Sequence, residues 1–132
     1  MSDDQLPDIV EHVSAVSFDA TIERLTAAIT HAGLLLFNRI DHHAGAREAG
    51  LEMPQTTVLT YGHPKGGTPI MLAAPLAALD LPLRVLIRVR DDGTTAIAFH
   101  PIEAVLRRDG VPDNLAGKLA PAQKILVDAI AT

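Results

Sequence analysis

The stretch "LPLRVLIRVRDDGTTAIAFHP" (residues 81–101) fixes the fold class. Leu83, Val85, Ile87 and Val89 alternate with Arg84, Leu86, Arg88 and Arg90. This period of two sends one set of side chains to each face of a strand. Asp92-Gly93 is a tight-turn signal, and the TTAIAFH run then carries the chain back as an antiparallel partner. One face of this hairpin is apolar and the other is studded with arginine. Such a pair needs a covering layer on one side.

Upstream, "FDATIERLTAAITHAG" (18–33) supplies part of that layer. Phe18, Ile22, Leu25, Ile29 and Ala32 fall at helical spacing on one face. Ser17 is placed to cap the start, and Gly33 to stop the end. Before this helix, 9–17 alternates as a strand. After it, "LLLFNRI" (34–40) reads as a strand covered on both faces or at a sheet centre. Asp41 caps a short helical segment, "HHAGAREAG", and "TTVLTYG" (56–62) is another β-branched strand. Thr68-Pro69 reads as a helix start, with a hydroxyl cap and Pro in the first turn. Pro75 shortens or splits that helix. "IEAVLRRDG" is a short helix closed by Gly110, and 113–130 is a last helical stretch divided near Pro121. The expected fold is α+β: a single, mainly antiparallel sheet of about five strands with helices on one face. It occupies one domain, 9–132, behind a flexible tail over residues 1–8.

The composition narrows the function classes. The chain has 132 residues, enough for one domain with its own core. Aromatics are 3% of residues, too few for a base-stacking surface, and the net charge of −5 gives no pull toward phosphate backbones. No nucleic-acid partner is expected. The absence of cysteine excludes disulfides, thiolate catalysis and cysteine-based zinc sites. The acidic opening "MSDDQLPD" is unlike a secretory signal, and no apolar run has bilayer-spanning length. A cytoplasmic protein with no membrane partner is the expectation.

The order of three motifs carries a resemblance. "GHPKGGTPIM", "APLAALDLPLRVLI" and "DDGTTAIAFHP" resemble an uncharacterised bacterial and archaeal family called domain of unknown function 302. Its members carry a Gly-Asn-Pro-Lys segment, a Gly-Thr pair and an Ala-Leu-Asp-Leu-Pro-Leu run. Gly62, Pro64, Lys65, Gly67, Thr68 and Ala78 through Leu83 match; His63 takes the Asn position. The likeness runs from about residue 9 to the end. It implies a two-layer, TATA-box-binding-protein-like arrangement of strand, helix, four strands and helix. It implies no activity, because the family has none established.

The loop "YGHPKGGTP" (61–69) is the strongest candidate site. It is no P-loop, since Lys65 precedes Gly66-Gly67 instead of following the last glycine. It still fits an anion site: unshielded amides at Gly66, Gly67 and Thr68, a helix N-terminus, and the Lys65 charge. A plain strand-to-helix turn with a solvated lysine uses the same residues. His63, His42 and His43 are candidates for the wall of such a site. Adjacent helical histidines diverge by about 100°, and no H-x-x-x-H spacing occurs, so no metal and no cofactor are expected. Asp80 reads as a turn carboxylate that bonds backbone amides, and no carboxylate pair is spaced for acid–base work. The arginines at 84, 88 and 90 read as protection of an exposed sheet face.

Three functions follow. The first is a non-catalytic domain that binds a small anionic ligand at His63, Lys65, Gly66, Gly67 and Thr68, with His42 and His43. The second is a small enzyme using His63 or His42 as general acid–base, with glycine amides stabilising negative charge. The third is a self-associating interaction module. A homodimer is expected because a one-sided sheet leaves its second face uncovered.

Overall fold

A computed structural model describes residues 8–132; of the expected N-terminal tail, residues 1–7 lie outside the described residues. The elements run β1 (Val10–Val13), α1 (Phe18–His31), β2 (Leu35–Asp41), α2 (His42–Glu48), β3 (Thr56–Gly62) and α3 (Pro64–Ala73). A 3-10 segment (Pro75–Asp80), β4 (Leu83–Val89), β5 (Thr95–Phe99), α4 (Ile102–Arg108), α5 (Asp113–Ala116) and α6 (Ala120–Ala129) complete the chain. The five strands form one antiparallel sheet in the order β1-β5-β4-β3-β2.

The hairpin forms as the alternation requires. Leu83, Val85 and Ile87 are buried, and the β4–β5 register pairs Leu86 with Ala98 and Arg88 with Ala96. At the turn, the Asp92 carboxylate accepts from the Thr94 hydroxyl (2.6 Å) and amide (2.9 Å). Those bonds, the hydroxyl's first, hold its pKa below the usual carboxylate range. Leu59 and Tyr61 of β3 and Ile97 of β5 join the same core. Against it lies α1, which buries Phe18, Ile22, Leu25 and Ile29. Ser17 caps this helix through the Ala20 amide, and Gly33 follows it at φ +75, the left-handed region that glycine enters without steric cost.

The opposite sheet face stays open and carries the arginines. Glu11 of β1 holds both Arg88 (3.3 Å) and Arg90 (3.5 Å). Glu11 pairs with Ala98 and Arg88 with Ala96, so the ion pair spans β5 over its small alanines. Two arginines of the basic stripe are thereby tied to one carboxylate from across the sheet, on a residue distant in sequence.

Two expectations change. The apolar run at 34–40 forms β2, an edge strand with all seven residues exposed, not a covered or central one. A short apolar run does not reveal its place in a sheet, and the centre is taken by the β4–β5 hairpin and β3. The helix expected from Thr68-Pro69 starts a full turn earlier, at Pro64. His63-Pro64 is also a cap-and-Pro pair, and the helix propagates through Gly66-Gly67, neither of which has positive φ.

Candidate functional site

The start of α3 is built around one side chain. His63 Nδ1 accepts from the Lys65 amide at 3.1 Å, and the His63 carbonyl accepts from the Gly66 and Gly67 amides, each at 3.0 Å. Pro64 has no N–H to satisfy. The first donors of the helix are therefore already paired, and the Gly66 and Gly67 amides do not form the open anion cradle that a Gly-Gly turn would make. The cap also sets the tautomer. With Nδ1 used as an acceptor, the neutral ring carries its proton on Nε2, which remains its only donor.

The glycines serve packing instead. A Cβ at Gly66 would stand 3.2 Å from Leu119 Cδ2, so its absence lets α3 approach the segment leading into α6. The first turn of α6 is anchored to β3. The buried Tyr61 hydroxyl donates to the Ala122 carbonyl at 2.9 Å, and burial raises the Tyr61 pKa well above that of an ordinary phenol.

Between these elements opens a cavity of about 530 Å³. His63, Lys65, Gly66, Gly67 and Thr68 all line it, on the α3 side. The rest of the wall is mainly carbon: Leu34, Phe37, Met71, Leu81, Pro82 and Leu119. Phe37 owes its position to a β-bulge. Leu36 pairs with Tyr61 and Asn38 with Thr60, which leaves Phe37 as the extra residue, turned to the cavity beside Gly62. Lys65 is exposed and has no ion-pair partner among the described residues.

The structure does not bring His42 and His43 to this wall. Leu35 pairs with Gly62 while Asp41 pairs with Thr57, so α2 starts at the far end of β2, about 20 Å away at the rise of a strand. His43 is also committed on both nitrogens. Arg47 donates to Nε2 at 3.1 Å, and Nδ1–H donates to the Met53 carbonyl at 2.6 Å. Asp41 does cap α2, accepting from Ala44 at 2.9 Å. Among the described residues no group of three or more His, Asp or Glu is placed to hold a metal ion.

Sequence reasoning missed the apolar wall. Phe37, Leu34 and Leu119 carry no motif, and a bulge leaves no signal in composition. It also misjudged Asp80. That carboxylate lies 3.6 Å from Arg108, not on backbone amides, and Asp109 stands beside it.

Comparison with known proteins bears on the whole chain. The three curated relatives found are two proteins named fluoride-specific ion channel FluC 1, from Brucella suis and Brucella abortus, and a FluC 2 from Brucella melitensis. Each is 46% identical over 66 residues, half of this chain. The match spans only about a quarter of the length of those relatives (24–26%). No helix among the described residues is long and apolar enough to cross a membrane. A crystal structure of an uncharacterised conserved DUF302 protein from Bacillus stearothermophilus superposes with a TM-score of 0.80 at 18% identity, covering 93% of this chain and 95% of that one. The model of the domain of unknown function DUF302 matches residues 10–132, from the first strand to the last residue, and the chain belongs to that family.

Proposed function

We propose that this domain binds, without catalysis, a small molecule with an apolar body and one anionic group, and does so in the cytoplasm. The observation that carries the reading is the pairing of a carbon-lined cavity with a single cationic side chain, Lys65, at its edge. A volume of about 530 Å³ lies within the range of small-molecule sites. Lys65, the Nε2–H of His63 and the partial positive charge at the start of α3 favour an anion there, even though the helix amides are occupied. An acid–base reading is weaker, because His63 spends one ring nitrogen on its cap.

Sodium octanoate is a suitable probe, with 1-octanol as its uncharged control. Octanoate at one hundred times its dissociation constant should stabilise the fold by about 2.7 kcal/mol, read as a higher melting temperature. Lys65→Ala should remove most of the preference for octanoate over octanol and leave the unliganded melting temperature unchanged. Equal effects of both compounds on the two proteins would defeat the anionic half of the proposal.

The 66-residue likeness to proteins named as fluoride channels favours a second reading, an accessory domain of ion transport. Fluoride raising the melting temperature above a chloride control of equal ionic strength would favour it over the first. We also propose self-association through the open sheet face, where Val13 is 52% and Ile40 39% exposed. A monomeric mass in sedimentation at micromolar concentration would rule that out.

A further inference from the structure

We infer that Asp80 and Asp109 hold one proton between them, making a pH-operated clasp between the 3-10 segment and α4. Asp80 is the last residue of that segment and Asp109 the cap residue that ends α4. Two elements far apart in sequence thus aim two carboxylates at one place. Among the described residues only one cation answers them at close range: Arg108 lies 3.6 Å from Asp80 and 3.8 Å from Asp109. Both carboxylates also sit at helix C-termini, where the partial negative charge disfavours a second anion.

The decisive atom is Asp109 Oδ2, which is buried and has no hydrogen-bond partner among the described residues. A buried carboxylate oxygen without a donor is costly. A proton on Oδ2 resolves the anomaly. It turns the oxygen into a donor and the neighbouring Asp80 carboxylate into its acceptor, as in other close carboxylate pairs.

The surroundings agree. Asp80 and Arg108 share a small cavity of about 130 Å³ with Arg84 of β4, His100 and Gln123 of α6. The Gln123 amide is engaged at both ends, its Oε1 accepting from Ile102 N and its Nε2 donating to the His100 carbonyl. On the other side of α4, Arg107 is taken by Glu103 and Asp113. Partial burial, and then the Asp80 side chain, push the Asp109 pKa up to about 6. The folded state therefore keeps a proton that the unfolded chain releases near its ordinary 3.8. The stabilisation is fully present below about pH 4 and is lost as pH rises through about 6. Above that, two anions share one arginine, and the 3-10 segment loosens. Leu81, Pro82 and Leu83 follow directly and line the larger cavity. This last link, from clasp to ligand, rests on the binding function proposed above; the clasp itself does not.

Thermal melts of wild type, Asp109→Asn and Asp80→Asn at pH 4.5 and 7.5 test it without any ligand. Either amide replaces the shared proton. At pH 7.5 at least one variant should melt several degrees above wild type, and the gap should close at pH 4.5. Hydrogen exchange over residues 75–83, corrected for intrinsic rate, should quicken between pH 5 and 7.5 in wild type and not in that variant. A pH-independent offset for both variants would overturn the inference. So would carboxyl NMR titrations in which both groups ionise near the ordinary aspartate value.

Discussion

Replacing His63 separates the role of its side chain from that of its backbone. Of the three amides it satisfies, only the Lys65 amide bonds to the ring, at 3.1 Å; the Gly66 and Gly67 amides bond to the carbonyl and survive any substitution. His63→Ala therefore removes one N-cap bond. Cap removal of this kind costs about 0.5–2 kcal/mol, and the exposed Lys65 amide regains water, so about 1 kcal/mol is expected. For a domain of this size that is a fall of about 3–5 °C in melting temperature. His63→Asn should restore the loss, because Asn is among the best N-cap residues and its Oδ1 accepts where Nδ1 does. The substitution also restores the Gly-Asn-Pro-Lys pattern that the segment resembles. Urea denaturation with an unchanged m-value measures the differences cleanly. An alanine variant as stable as wild type, or an asparagine variant no better than alanine, would refute the cap.

Two further substitutions probe the scaffold of the cavity. Tyr61→Phe leaves the Ala122 carbonyl without its buried donor and should cost about 1–3 kcal/mol in urea titrations; no loss would mean the bond does not anchor α6. Gly66→Val should destabilise by about 1–3 kcal/mol through crowding against Leu119, whereas Gly45→Ala on α2, with nothing within 4 Å of the new Cβ, should be neutral or stabilising. Equal effects at the two glycines would remove the packing argument for Gly66.

The parts legible in the sequence are those where local pattern and global position agree. The strict alternation at 83–89 and the helical spacing of Phe18, Ile22, Leu25 and Ile29 needed only a core to face, and both found it. The run at 34–40 is locally a strand in any setting. Its edge position is decided by which partners the other strands take, and no residue within it records that choice. The Gly-Gly pair reads in sequence as an anion cradle or a turn, and it is neither. Leu119, fifty-three positions downstream of Gly66, makes it a close helix approach by coming within 3.2 Å of the missing Cβ. Five of the seven candidate residues line one cavity because they fall together at the cap and first turns of α3. His42 and His43 do not, because β2 lies between. The Asp80–Asp109 pair was invisible for the converse reason: only tertiary packing brings the two together.

A ¹H–¹⁵N correlation spectrum of the whole chain, titrated with octanoate, tests the binding site most directly. The account predicts saturable shifts confined to the amides of Gly33, Leu34, Phe37, Gly62, Lys65 to Thr68, Leu81 and Leu119, weakened several-fold by Lys65→Ala. Shifts that never saturate, or that map to α2 or the open sheet face instead, would contradict it.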